Sequence, residues 1–173
     1  ILALGMILML LVSAMSFSAS AEEYEQRHIT VGNATQMKGD FFTELWGNAT
    51  SDIDVRELIH GYNLVRWDGE QGMFDFDPQV VTGVTLVENE FNDKSYVLEL
   101  ADDLKYSDGT KITAWDYAFS LLFQIDPEIE KIGGKPLRKE HLLGYKEYLA
   151  GETEYLQGVR VPDDYTQIIT LDG

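Results

Sequence analysis

Tyr106-Ser107-Asp108-Gly109-Thr110-Lys111-Ile112-Thr113-Ala114-Trp115-Asp116-Tyr117-Ala118-Phe119-Ser120-Leu121 is the stretch on which the fold turns. An extended segment runs into the Asp108-Gly109 turn, where an Asp carboxylate can accept local backbone hydrogen bonds and Gly tolerates positive φ. A Lys111-Ile112 step then leads to a helix expected over 113–125. Thr113 caps it, Asp116 three residues on suits a capping box, and Pro127 bounds it. Ala114, Tyr117, Ala118, Leu121, Leu122 and Ile125 recur at i, i+3, i+4, i+7, which predicts a buried face with aromatic residues on it. Tyr106, Tyr117 and Phe119 are expected to pack, so Tyr106, Asp108, Gly109, Thr113 and Asp116 are read as structural residues rather than ligand contacts.

Working outward, the elements are mixed. His28 to Val31 reads as a short strand, and 34–51 as an irregular segment rich in Gly, Asn, Thr and Asp. Asp52 reads as the N-cap of a helix with Val55, Leu58, Ile59 and Tyr62 at helical spacing. Leu64 to Trp67 reads as a strand stopped by Asp68-Gly69. The runs 83–90 and 95–100, separated by Phe91-Asn92-Asp93-Lys94, read as an antiparallel hairpin, because Tyr96, Leu98 and Leu100 alternate with Val97 and Glu99. A second helix is expected over 138–150, ending at Gly151. Strands are expected at 159–161 and 166–171 around the turn Pro162-Asp163-Asp164.

The ends and the composition constrain the class. Residues 1–12 are almost wholly apolar and too short to cross a bilayer comfortably, which takes about 20 residues. Ala19-Ser20-Ala21 fits a small-x-small cleavage pattern, so 1–21 is read as a secretory signal peptide whose basic n-region is missing. Residues 22–173 are read as one folded unit cut off at its C-terminal side. There is no Cys, so neither disulfides nor a lipid-carrying Cys at the signal junction is available. The net charge of −17 argues against nucleic acid, whose phosphates need a basic surface. It argues equally against adsorption to anionic lipid.

Beyond these local readings, the chain resembles the peptide-type (oligopeptide and dipeptide) solute-binding proteins of ABC importers, solute-binding family 5. Four blocks carry the resemblance in order: 52–67, the hairpin, the 106–121 string, and the run from Tyr148-Leu149-Ala150-Gly151-Glu152 through Leu156-Gln157-Gly158-Val159 to Pro162-Asp163-Asp164-Tyr165-Thr166. One departure is Pro78-Gln79-Val80-Val81-Thr82-Gly83-Val84, which lacks the Trp the family usually carries before the hairpin. The resemblance implies an α/β fold, a mixed sheet with flanking helices, forming part of the first lobe of a two-lobed periplasmic-binding-protein-like molecule. It implies an exported protein, in a periplasm or on the outer face of the cell membrane. Such a protein captures a peptide or similar small solute and hands it to ABC permease subunits, with no catalysis and no cofactor.

The same resemblance places a ligand-facing wall just before the first helix, at Gly47-Asn48-Ala49-Thr50-Ser51, where small residues let a ligand backbone approach. Trp46 is a candidate floor for a side-chain pocket, set against the alternative of a core Trp. The loop 128–136, with Gly133-Gly134, is a second candidate, set against an ordinary solvated loop. Other chemistries fit poorly. His28, His60 and His141 stand singly, with no helical pairing for zinc. Counting back from Gly109 as a calcium-loop glycine puts Leu104 and Tyr106 where acidic ligands belong. Carboxylates such as Asp75, Asp77, Glu88, Glu90 and Glu99 are scattered as on any acidic surface. A secreted scaffold or adhesion module that keeps the lobe without transport is the alternative from another class.

Overall fold

The computed structural model describes residues 29, 30 and 32–173. It divides into two units, 1–32 and 33–173. The first is described only at Ile29, Thr30 and Gly32, which are irregular and exposed. The signal peptide read over 1–21 therefore lies outside the described residues, as do His28 and Val31 of the expected first strand, while Ile29 and Thr30 are not in a strand.

In the second unit the elements run α1 (Thr50–Ile59), β1 (Val65–Asp68), β2 (Met73–Phe76), β3 (Val81–Glu88), β4 (Lys94–Leu100), α2 (Ala114–Ile125), α3 (Glu128–Lys131), α4 (Tyr145–Leu149), β5 (Val159–Asp163) and β6 (Thr166–Leu171). β1 and β2 form a two-stranded antiparallel hairpin. The other strands form a four-stranded sheet in the order β3-β4-β6-β5 that is antiparallel throughout, not the mixed sheet expected, because β3-β4 and β5-β6 are joined by tight turns and β6 runs back along β4.

β4 shows why the sheet forms. Leu98 and Leu100 are buried while Glu99 between them is exposed, the period-2 pattern of a half-buried strand. They join Val80, Val81, Leu104, Ile112 and Ala114 in one core cluster. Each fully buried aliphatic side chain there contributes about 1.5–3 kcal/mol. A second cluster gathers Ile125, Leu142, Tyr145 and Leu156, and α2 spans both, laid on β5 and β6.

The 106–121 string behaves as a single hydrogen-bonded unit. Asp108 Oδ1 accepts the Thr110 N–H at 2.8 Å, Tyr106 and Thr110 pair through their backbone at 2.9 Å, and Gly109 takes φ +88°. The Thr113 N–H donates to Asp116 Oδ2 at 2.7 Å, and the Tyr106 hydroxyl donates to Oδ1 of the same carboxylate at 3.0 Å. Thus one carboxylate ties the turn to the helix start. The Ala114 N–H donates to Asp164 O at 2.8 Å, which pins the helix N-terminus to the β5–β6 turn.

Several expectations need correction. Ala49, not Asp52, is the N-cap of α1. Asp52 lies inside the first turn, 0 % exposed, where its carboxylate accepts the N–H groups of Lys38 and Gly39. The apolar stripe expected on α1 is not buried: Leu58 and Ile59 are exposed. Phe119 on α2 is exposed as well, and so is Trp115. These two, with Phe123, form an i, i+4, i+8 row rotated away from Ala114, Ala118 and Ile125, so α2 is apolar on two faces. Tyr106 is half exposed and acts as a polar tether, whereas Tyr117 packs on the first cluster and donates its hydroxyl to Tyr62 O at 2.7 Å. Burial pushes the Tyr117 phenol up from its usual pKa.

Other boundaries shift for local reasons. The helix expected over 138–150 shrinks to Tyr145–Leu149, because Leu142 is bridged to Leu171 and Gly144 sits at φ +73°. The hairpin strand ends at Glu88 because the Asn89 side chain takes the N–H groups of Phe91 and Asp93 and starts the turn. Pro162 and Asp163 belong to β5, leaving Asp164-Tyr165 as the turn. β2 was not expected. Its signal was the alternation Met73-Phe74-Asp75-Phe76, and Trp67 meets Phe74 across the hairpin edge-on at 5.2 Å.

Candidate functional site

Gly47-Asn48-Ala49-Thr50-Ser51 closes a loop that one side chain holds in shape. From α1 the Arg56 guanidinium reaches back and donates to Asp40 O at 2.6 Å, Gly47 O at 3.1 Å, Asn48 Oδ1 at 3.0 Å and, more weakly, Thr43 O at 3.4 Å. A planar five-donor fork suits several carbonyls converging from different directions. The Ala49 carbonyl accepts the N–H groups of Asp52 and Ile53 as the helix starts. A Cβ at Gly47 would meet the Asp40 carboxylate, so a side chain there requires that carboxylate to swing away.

This geometry changes what the segment can offer. The carbonyls of Gly47 and Ala49 are engaged within the fold. Asn48 and Thr50 are exposed, while Ser51 is buried with its hydroxyl unpaired. The loop therefore presents its exposed side chains to the surface, while the engaged carbonyls serve its shape. Arg56 itself was not anticipated from sequence. The one available signal was a cation on the helix following a loop rich in carbonyl-exposing small residues.

Trp46 is neither a fully buried core residue nor a free surface one: 39 % of it is exposed. Its indole N–H donates to Ile132 O at 3.3 Å, and the Lys135 N–H donates to Leu45 O at 2.7 Å. The two segments proposed separately, 46–51 and 128–136, thus lie against each other. Gly134 permits the approach, because a Cβ at that position would stand 3.2 Å from Trp46 Cε2 and closer still to Ile129. Part of the second segment is not loop but the single turn α3.

An aromatic shelf extends from this junction. Phe123 contacts Trp46 at 6.4 Å, Phe42 at 6.5 Å edge-on, and Phe119 at 6.0 Å stacked. Phe42 and Phe119 are largely exposed. Phe42 also lines an open groove of about 950 Å³ between the α1–β1 region and α2. Its walls include Tyr62, Trp67, Tyr106 and Tyr117, and Gln167 lines it as well.

The structural residues sit apart in chemistry from this shelf. Asp108 is exposed, and the Thr110 N–H holds its carboxyl below the usual range. The Asp116 carboxylate is engaged by Thr113 and Tyr106. His60 donates its Nε2–H to Phe41 O at 2.7 Å. Among the described residues, no three His, Asp or Glu side chains gather in a metal-holding group. Among the same residues, no helix is long and apolar enough to cross a membrane.

Comparison with known proteins places these features in a wider context. No family model matches the chain. Over 98 residues, 56 % of its length, it is 32 % identical to the periplasmic oligopeptide-binding protein OppA of Escherichia coli K12, and spans 18 % of that protein. Its structure is similar to that of a lactococcal OppA complexed with an endogenous peptide in the closed conformation. That match has TM-score 0.59 and 20 % identity, and covers 80 % of this chain and 25 % of the other. It is also similar to Listeria monocytogenes OppA bound to peptide, with TM-score 0.52 and 21 % identity over 68 % of this chain and 22 % of the other. The chain thus has partial similarity to OppA oligopeptide-binding proteins and a mixed α/β fold with antiparallel sheets that matches a portion of them. It spans about a fifth of the length of the curated relative.

Proposed function

We propose that this chain is part of the first lobe of a two-lobed extracytoplasmic binding protein that captures peptides and delivers them to an ABC permease. The observation that carries the reading is the 32 % identity over 98 residues to a periplasmic oligopeptide-binding protein. The geometry supports it through the meeting of 46–51 with 128–136, which sets an exposed Trp46 face beside exposed Asn48 and Thr50. In this reading Trp46 carries a ligand side chain, while Gly47, Asn48, Ala49, Thr50 and Ser51 form the edge along which the ligand backbone lies. Closure of a second lobe over that edge completes the site, the ligand favouring the closed state by its contacts to both lobes. Permease subunits then receive the closed form, and the signal peptide at 1–21 accounts for export.

The test is direct. The gene's whole product is unfolded and refolded to strip carried-over ligand, then offered a mixed peptide pool, and whatever co-elutes is identified by mass spectrometry. Recovery of short peptides with micromolar or tighter affinity is the expected result. A blank from demonstrably folded protein would refute peptide capture and favour a scaffold that keeps the lobe without transport.

A further inference from the structure

The two edges of the four-stranded sheet are built differently. β5, at one edge, carries Arg160, Pro162 and Asp163, and its register against β6 shifts between Arg160 and Asp163. A charge, a missing N–H and a bulge are the devices that keep an edge from pairing with another chain. β3, at the other edge, lacks all three over its outer half. From Gly83 onward its register against β4 is continuous, Val84-Thr85-Leu86-Val87 carries neither charge nor Pro, and Glu88 closes the strand. Among the described residues no strand pairs with its outer side. Val84, Leu86 and Val87 are 43, 49 and 51 % exposed. Val84 and Leu86 stand opposite Leu98 and Tyr96, so they lie on the core face of the sheet, which ends at an open apolar rim.

We propose that the free edge of β3 is a pairing surface for a second copy of this chain, joined antiparallel about a two-fold axis at Thr85. The strand is self-complementary in that register. Thr85 meets Thr85, Val84 meets Leu86 of the second copy, and Gly83 meets Val87. Opposed residues in an antiparallel pair share a face, so Val84 and Leu86 of both copies pack together and the core face continues across the junction. An axis at Leu86 would instead set Val84 against Glu88, an aliphatic side chain against a carboxylate. With the axis at Thr85 the two Glu88 carboxylates fall at opposite ends, about 20 Å apart along the strands, well beyond the Debye length of about 8 Å at physiological salt. So short a pairing makes a weak, reversible interface, and the net charge of −17 on each copy opposes it at low salt. The interface uses no residue of the candidate ligand site and requires neither a second lobe nor a permease.

The experiment follows the gene's whole product by sedimentation velocity from about 1 to 100 μM, at low and at high salt. A reversible dimer is expected, tightening about threefold or more between about 50 and 500 mM NaCl as the like charges are screened. Leu86→Lys puts a cation on the open edge at a half-exposed position and is expected to weaken the dimer roughly tenfold or more. Disulfides read the register, since the chain contains no Cys. Opposed Cα atoms lie about 4.5–5.5 Å apart, within disulfide reach, so Thr85→Cys is expected to cross-link under mild oxidation. Val87→Cys, also exposed but about 14 Å from its counterpart, is expected not to. Wild type that stays monomeric throughout at high salt overturns the assignment and leaves the edge to an extended segment of another protein. Unchanged association in folded Leu86→Lys overturns it too, as does Val87→Cys cross-linking as readily as Thr85→Cys. If Leu86→Lys does not fold, the two Cys variants decide alone.

Discussion

Replacing Arg56 by Ala should release the loop that carries the candidate site. Three of its bonds are well formed, at 2.6, 3.0 and 3.1 Å to Asp40 O, Asn48 Oδ1 and Gly47 O, while the fourth, at 3.4 Å to Thr43 O, is marginal. Hydrogen bonds from a charged donor contribute about 1.5–3 kcal/mol each when dry. Arg56 is only part-buried and Asn48 is exposed, so water competes and about 1 kcal/mol per good bond is the better figure. The sum is roughly 3 kcal/mol. For a chain of this size that lowers Tm by about 6–12 °C and moves the urea midpoint by about 1–2 M. Urea titrations followed in parallel by Trp fluorescence and far-UV circular dichroism measure it. Arg56→Lys keeps the charge but a single ammonium cannot span three carbonyl directions, so it should recover no more than about a third of the loss. A loss under about 0.5 kcal/mol for Arg56→Ala, the ordinary scatter of surface substitutions, or a wild-type midpoint for Arg56→Lys, would refute the reasoning.

Further outcomes follow from the same geometry. Asp116→Ala removes the acceptor of both the Thr113 N–H and the Tyr106 hydroxyl; it should cost about 1–2 kcal/mol, read as a lowered thermal midpoint with unchanged helix content below it. Gly158→Ala places a Cβ within 2.8 Å of Leu143 N and Thr170 O, both main chain, so the sheet edge must shift; a loss of about 3 kcal/mol or more is expected, and a midpoint equal to wild type would contradict the packing. Acid sensitivity should trace in part to Asp108 and Asp68, whose carboxyls are held low by the N–H groups of Thr110 and of Gln71 and Glu70 respectively. A depressed folded-state pKa contributes stability that is fully present above the unfolded value of 3.8 and is lost as pH falls through the folded value. Urea midpoints from pH 5 down to pH 2.5 should therefore decline less steeply in Asp108→Asn than in wild type, and parallel curves would remove Asp108 from the account.

The candidate site was half legible. The segment 47–51 was singled out by the family resemblance, with which its small residues agree, and Trp46 was only a candidate pocket floor set against a core Trp. Its neighbour 128–136 was visible only as a Gly-containing loop. That the two touch depends on the Trp46 indole reaching Ile132 O across a long sequence separation, and on Gly134 leaving room. Arg56 was silent because nothing near it in sequence reveals the carbonyls that converge on it.

What the sequence determined by itself was everything governed by short-range chemistry. The Asp108-Gly109 turn, the Thr113–Asp116 cap and the alternation of Ser95 to Leu100 each follow from bonds or periodicities a few residues long, and each is present. Tertiary structure alone decided which apolar faces are covered. Ala114, Ala118 and Ile125 lie on the sheet while Trp115 and Phe119 stand exposed on the same helix, and Leu58 and Ile59 of α1 stay open although their spacing matches a buried stripe. Periodicity identifies an apolar face; whether that face meets a neighbour depends on where distant strands and loops arrive, and no local pattern encodes that.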